Sequence, residues 1–285
     1  LIGAFESMGY GTFVYHTANE EVSKKMLLRL LGESQEFAAV TFNNLGYNLS
    51  FEQPEAAEGE EGKPEEYNIW DYFHIPYIDI LMDHPFHYEK PLCNMPKTAV
   101  ILCTDRNHVK YDRRLQEIIV KMRFLDSYAT SFFREQAVRI LVESGIHVTA
   151  YGVGWDQCEW SDNPYLTYGG KVLAPQILPL MNDSKIVLNT MTWFKAGAHD
   201  RIFNGMLAGA AVVTDDSTYL RRTFTDGKEL VMFSLKELQT LPERVFDLFG
   251  HSSHMQELAD CGYRAAKEGH TWKNRAEYIR ECYFD

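Results

Sequence analysis

The run HDRIFN, residues 199–204, puts a histidine, an aspartate, an arginine and an asparagine where a helix begins. Asp200 is suited to cap the first turn by accepting a backbone N–H bond, and His199 stands just outside it. Arg201 and Asn204, three apart, share one helical face. Unpaired N–H groups at a helix start and the positive end of its dipole favour an anion, so a phosphate fits beside His199 and Arg201. Singly, an aspartate before a helix is an ordinary structural cap, and an arginine on the first turn an ordinary surface charge. Clustered at one strand-to-helix junction, they read as a binding site, because open α/β sheets bind ligands at the carboxyl ends of their strands.

The elements that must position these residues are legible on either side, in residues 184–233, SKIVLNTMTWFKAGAHDRIFNGMLAGAAVVTDDSTYLRRTFTDGKELVMF. The apolar runs 186–188 and 211–214 have buried-strand character, 201–208 has helical spacing, and Gly209 stops the helix. This is a βαβ unit with Ile202, Phe203, Met206 and Leu207 against the sheet. Asp216 and Ser217 follow its second strand and join the same edge. Upstream, a strand over 147–151 runs into Gly152-Val153-Gly154-Trp155, whose glycines permit a tight turn and close approach of a ligand or a neighbouring backbone. Trp155 suits a lid or, more simply, a packing role. The run lacks the third glycine and acidic partner of a dinucleotide fingerprint, which argues against NAD.

Helices and strands alternate in the first half as well. The pattern predicts a helix ending at Gly9, a strand over 12–16, a helix over 20–31 and a strand over 38–42. The acidic, Gly- and Pro-containing run 53–66 is predicted to be a loop. Strands over 77–82 and 98–103 end in Asp83-His84-Pro85 and in Thr104-Asp105-Arg106-Asn107-His108. In a parallel sheet such ends coincide, so the two polar clusters are expected to line a common cleft. Helices are expected over 113–133, 135–144, 173–182, 235–249, 253–268 and 273–282, the last capped by Thr271 with Trp272 anchoring its first turn.

Composition bounds the rest. With 285 residues, 45% of them hydrophobic, the chain can form two domains with proper cores. A net charge of -12 excludes a general nucleic-acid binder, which needs a positive field. Five cysteines without CxxC spacing suggest neither a disulfide framework nor a zinc site. No apolar run of about eighteen residues and no basic leader appears, so no transmembrane segment and a soluble, cytoplasmic protein are expected. The chain opens without Met, and a preceding segment is expected.

Three strings carry a family resemblance: VESGIHVTAYGVGW at 142–155, the run 184–233, and GHTWKNRAEYI at 269–279. With IPYIDILMDHPF at 75–86 they resemble, over most of the chain, the GT-B glycosyltransferases of group 1, especially the branch related to bacterial spore-maturation glycosyltransferases. The resemblance implies an α/β protein of two Rossmann-like domains whose parallel sheets face a cleft. An acceptor-side domain over 1–115, apparently trimmed at its start and end, would be followed by a nucleotide-sugar-binding domain over 116–268 and a C-terminal helix, 269–285, packing back on the first domain.

The same resemblance implies transfer of a hexose-like sugar from a UDP-, GDP- or dTDP-linked donor to a glycan, protein or small-molecule acceptor, with no metal and no cofactor. Gly152 and Gly154 would allow backbone approach beside Trp155, His199 and Arg201 would meet the diphosphate next to Asp200, Asn204 the ribose, and Asp216 and Ser217 the sugar or phosphate. Asn204 stands where the family places a Glu, and Ala196 stands for the other Glu, eight positions upstream. The acidic pair of a retaining enzyme is therefore missing and inversion is favoured. An inverting transfer needs a general base, for which Asp83, His84 and Asp105 are the candidates. The alternative is a catalytically silent GT-B-like module that binds a nucleotide or glycan, which donor turnover would distinguish. A nicotinamide oxidoreductase already fails on the glycine fingerprint.

Overall fold

A computed structural model describes residues 1–33, 36–52, 66–83, 85–106 and 116–283. The chain divides into two compact units, Ile2–Val120 and Lys121–Asp285.

In the first unit, helices α1 (Ile2–Ser7) and α2 (Glu20–Leu31) precede strand β1 (Ala39–Phe42). A short antiparallel pair, β2 (Ser50–Glu52) with β3 (Glu66–Asn68), leads into α3 (Ile69–Tyr72), where the Asn68 side chain caps the first turn. Strand β4 (Tyr77–Leu81), helix α4 (Glu89–Cys93) and strand β5 (Ala99–Cys103) follow. The sheet order is β1-β4-β5, all parallel, with Ala39, Tyr77 and Ala99 in register. Every residue of β4 is buried, as a central parallel strand requires. The strand expected over 12–16 is absent: that stretch forms no ladder. Its alternation is nevertheless real, because Phe13 and Tyr15 pack against the cluster of Leu27, Trp70 and Tyr77. Alternating burial does not make a strand unless a neighbour supplies the backbone partners.

Helix α5 (Gln116–Glu143) is one 28-residue helix where two were expected, divided at Arg134. It contains neither Gly nor Pro, so nothing interrupts its hydrogen-bond ladder. In the second unit, β6 (Val148–Tyr151) pairs in parallel with β7 (Leu166–Gly170). Helix α6 (Ala174–Asn182) precedes β8 (Ile186–Asn189), helix α7 (Asp200–Leu207), β9 (Ala211–Asp215), α8 (Leu220–Thr223) and β10 (Val231–Phe233). Helices α9 (Leu241–Gly250), α10 (Ser252–Gly269) and α11 (Trp272–Tyr283) complete the chain. Thr271 Oγ1 accepts the Asn274 N–H and so caps α11 as expected.

Strands β8, β9 and β10 form a parallel sheet with β9 in the centre. Its two faces are covered separately. Ala211, Val213, Val231 and Phe233 pack with Ala137 and Leu141 of α5 and with α9, while Val212 and Met232 pack with Ile202 and Met206 of α7. Helix α7 comes close to the sheet because Gly205 has no side chain. A Cβ there would lie 3.0 Å from Val212 and 3.3 Å from Val187. The expected α/β class with parallel sheets therefore holds in both units.

Candidate functional site

The carboxyl ends of β8 and β9 carry two fully buried polar residues, Asn189 and Asp215. Asn189 Nδ2 donates to Thr214 Oγ1 at 2.9 Å, and its Oδ1 accepts Arg201 Nη1 at 2.5 Å. Asp215 Oδ1 accepts the Met191 N–H at 2.6 Å, and its Oδ2 meets Lys195 Nζ at 2.5 Å. Burial pushes the Asp215 carboxyl up, and Lys195 opposes that shift. Lys195 also donates to the Asp216 carbonyl, while Thr218 N–H and Ser217 Oγ donate to the carbonyls of Lys195 and Gly197. The segment between β8 and α7 is thus tied to the end of β9 along its length. That tie fixes where α7 begins.

Helix α7 starts one residue earlier than expected. His199, not Asp200, is the cap: its Nδ1 accepts the Arg201 N–H at 3.1 Å, and Asp200 is already helical. The same Nδ1 lies 2.7 Å from Asp200 Oδ1. One nitrogen cannot accept and donate at once, so the cap belongs to the tautomer with Nδ1 unprotonated and the ion pair to the imidazolium. The bond with His199 holds the Asp200 carboxyl below its ordinary value. Asn204 Nδ2 reaches Asp200 Oδ2 at 3.4 Å, so Asp200 and Asn204 sit together on the first turn. Phe194 packs edge-on against His199, with ring centres 5.5 Å apart.

The electrostatics single out Arg201. Burial, and then the nearby charge of Arg134, push its guanidinium below the ordinary arginine range, while Asp200 pulls the other way. Arg134 itself is pushed down by burial. Its side chain is nevertheless exposed to solvent.

The remaining expected donor residues have these places. Gly152 and Gly154 both take positive φ, 119° and 97°, which a side chain would resist. Gly152 N–H pairs with Gly170 O at 2.9 Å. Trp155 donates to Tyr151 O and packs on Trp160, in the packing role that was the simpler of its two readings. Asp216 pairs with Arg221. Ser217 is buried, its hydroxyl given to Gly197 O and accepting the Leu220 N–H at the start of α8.

In the first unit, Asp83 and Asp105 lie at adjacent strand ends, since Thr104 N–H pairs with Leu81 O. Asp83 is exposed, and its Oδ2 accepts from Asn43 at 3.1 Å and from Tyr88 at 2.9 Å. Burial, together with the bond to Asp83, pushes the Tyr88 phenol up to about 12. Asp105 is buried. His84 lies outside the described residues, as do Asn107 and His108. Beneath this edge stands Asp79, fully buried in mid-strand, with Oδ1 accepting the Asn44 N–H at 2.8 Å. Its Oδ2 and both side-chain polar atoms of Asn44 are buried without a hydrogen-bond partner among the described residues.

Residues 130–281 match the model of a family described as glycosyl transferase-like. The chain belongs to this family. The match on this glycosyl transferase-like chain takes in Arg134 and every expected donor residue from Gly152 to Ser217, and stops short of Asp83, His84 and Asp105. Among solved structures, the chain resembles Alr3699/HepE of Anabaena in complex with UDP-glucose, at 14% identity over 73% of each chain and a TM-score of 0.47. It also resembles the sucrose-phosphate synthase tll1590 of Thermosynechococcus elongatus, at 10% identity over 92% of this chain and 71% of that one, with a TM-score of 0.47. A third is the pneumococcal O-GlcNAc transferase GtfA in complex with UDP and GlcNAc, at 12% identity over 88% and 53% of the two chains, with a TM-score of 0.44. No curated protein matches.

Among the described residues, no three His, Cys, Asp or Glu side chains converge to hold a metal ion. No described helix of this glycosyl transferase-like chain is long and apolar enough to cross a membrane. Sequence reasoning missed Asn189, Lys195, Asp215 and Asp79. Three had a readable signal. Asn189, Asp215 and Asp79 are polar residues within or at the end of otherwise apolar strand runs. Lys195 had none, because its partner comes from another strand.

Proposed function

We propose that this protein is a metal-independent glycosyltransferase of the GT-B type, in the spore-maturation-like branch of group 1, whose two units are the two Rossmann-like halves of such an enzyme. The second unit takes a UDP-, GDP- or dTDP-sugar. The first takes a glycan, protein or small-molecule acceptor. One observation carries the reading: Arg201, partly desolvated, is held by the fully buried Asn189 at a parallel strand's carboxyl end, on the first turn of α7. A nucleoside diphosphate leaving group gathers negative charge as the sugar departs, and a helix N-terminus with a fixed guanidinium meets that charge without reorganising. His199, on the cap, is the second diphosphate contact, and Asn204 the ribose contact.

On the acceptor side, Asp83 is the general base we favour. It is an exposed carboxylate at a strand end, oriented by Asn43 and Tyr88. Ala196 and Asn204 in place of an acidic pair support inversion of the anomeric centre. All five cysteines are free thiols, which supports a reducing, cytoplasmic setting.

The test is calorimetric titration with UDP, GDP and dTDP, followed by donor hydrolysis. Arg201→Ala is expected to weaken the preferred nucleotide by roughly tenfold or more, since a charge-assisted contact in a partly dry site is lost. An unchanged affinity would sink this placement of the donor. Tight binding with no turnover by the full chain would instead support a catalytically silent module, the reading that Ala196 and Asn204 also favour.

A further inference from the structure

Asn43, just past the end of β1, takes a left-handed backbone, φ 51°, and so does Asn44 after it, φ 62°. Both peptide groups that flank Asn43 are held. Its own N–H pairs with Ile80 O at 3.2 Å, and the N–H of Asn44 is given to Asp79 Oδ1 at 2.8 Å. One bond anchors each side of the residue, so together they pin Asn43 in a region that asparagine tolerates but does not prefer. That conformation delivers the Asn43 side chain to the end of β4. Its Oδ1 accepts the Met82 N–H at 2.9 Å, and its Nδ2 donates to Asp83 Oδ2 at 3.1 Å.

The rest of the turn is tied by other groups. Leu45 O accepts from Tyr77 OH at 2.7 Å and from Thr41 Oγ1 at 2.8 Å, and Gly46 O accepts from Trp70 Nε1 at 2.7 Å. The N–H between Asn43 and Asn44 is left to Asp79. For stability alone an aspartate is a poor choice there, since it is fully buried in mid-strand and its Oδ2 has no partner among the described residues. An apolar side chain would fill a central strand at lower cost. What the carboxylate achieves is the hold on Asn44. At the other end of this run of bonds, Asp83 Oδ2 takes both Asn43 and Tyr88, while Oδ1 accepts from no described residue. A carboxylate fixed through one oxygen, with the other open, is arranged to take a proton.

We infer that Asp79 is a positioning residue for Asp83, acting through the Asn43-Asn44 turn. Its bearing on catalysis rests on Asp83 being the general base proposed above; the link between the two aspartates does not. Without the Asp79 acceptor, the Asn43-Asn44 peptide is free to turn toward the ordinary right-handed region. The Asn43 amide then leaves Met82 and Asp83, and the Asp83 carboxylate is free to rotate.

The experiment compares full-length wild type, Asp79→Leu, Asp79→Asn and Asn43→Ala by amide hydrogen exchange, by the carboxyl-carbon resonance of Asp83, and by hydrolysis of UDP-, GDP- and dTDP-glucose. Asp79→Leu is expected to speed exchange at Asn44 and Met82 roughly tenfold or more while Ile78 and Ile80 stay as in the wild type. It should also move the Asp83 carbon resonance and lower kcat roughly tenfold with KM unchanged. Asp79→Asn, which keeps a carbonyl oxygen for the Asn44 N–H, restores all of these. Asn43→Ala keeps the Asn44 amide protected and reproduces the changes at Met82, at Asp83 and in kcat. Unchanged Met82 exchange in Asp79→Leu overturns the inference and leaves the base reading standing. Faster exchange shared equally by Ile78, Ile80, Asn44 and Met82 also overturns it, as a structural role. So does an unmoved Asp83 resonance in Asn43→Ala, a result within reach even if Asp79→Leu does not fold. If the exchange and resonance changes occur together but Asp83→Asn hydrolyses donor at the wild-type rate, or the wild type hydrolyses none, the link stands and the base reading falls.

Discussion

Each parallel three-stranded sheet carries one aspartate on its central strand that is wholly withdrawn from water, Asp79 in the first unit and Asp215 in the second. Burial pushes both carboxyls up. The two differ in what compensates them. Asp215 stands at the strand end, where the following segments supply an N–H to one oxygen and the Lys195 ammonium to the other. Asp79 stands in mid-strand with a single N–H from Asn44, and that asparagine takes a left-handed turn, φ 62°, to deliver it. The same residue type on the central strand is therefore a lock in one unit and a source of tension in the other. A buried charge stabilises only through the partners that the loops bring to it.

The sharpest way to break the comparison is to remove the lock. Asp215→Ala leaves Lys195 and the Met191 N–H without their partner, and is expected to lower the stability of the second unit by about 3 kcal/mol. That is the lower end of the range for a broken buried pair, because Lys195 is partly exposed. Denaturant unfolding followed by hydrogen exchange of the β9 amides measures it. A loss below about 0.5 kcal/mol would make the pair equivalent to a surface one.

Next comes the pH dependence of the first unit. Burial pushes Asp79 from its ordinary 3.8 up to about 6. The folded chain therefore keeps this proton over a pH range in which the unfolded chain has lost it. Stability from this group is highest below about pH 4 and falls as pH rises toward 6, by a total of about 3 kcal/mol. Asp79→Asn should flatten that slope and raise the stability of the first unit at neutral pH. A slope that persists in the variant would assign it to other groups.

The second unit should respond in the opposite sense and more weakly. His270 lies against the face of Phe203, ring centres 4.7 Å apart, and burial with nearby Arg275 pushes it down to about 4. Its neutral form is favoured in the fold, so stability is complete above the ordinary imidazole value near 6.5 and is lost as pH falls toward 4. Partial water access limits the effect to roughly 1–2 kcal/mol. His270→Gln should remove it. Equal slopes in variant and parent would contradict the assignment.

Much of this could be read directly from residue order. The runs IVL and AVVT announced the buried strands that became β8 and β9, and HDRIFN announced a helix start. What misled was local likeness between alternatives. Phe13 and Tyr15 alternate as a strand does, yet among the described residues no backbone forms a ladder with them. Asp200 is an ordinary capping residue, yet with Lys195 and Gly197 tied to Ser217 and Thr218 after β9 the cap is His199. In both cases the deciding partner lies far along the chain.

The sequence by itself determined the α/β class, the order of the elements and the residue types gathered at the start of α7, because periodicity and turn chemistry are local properties. Only the tertiary structure decided that Asn189 holds Arg201, that Lys195 neutralises Asp215, and that Asp79 has no second partner among the described residues. Those are contacts between segments distant in sequence, and no local pattern encodes which buried polar group will meet which partner.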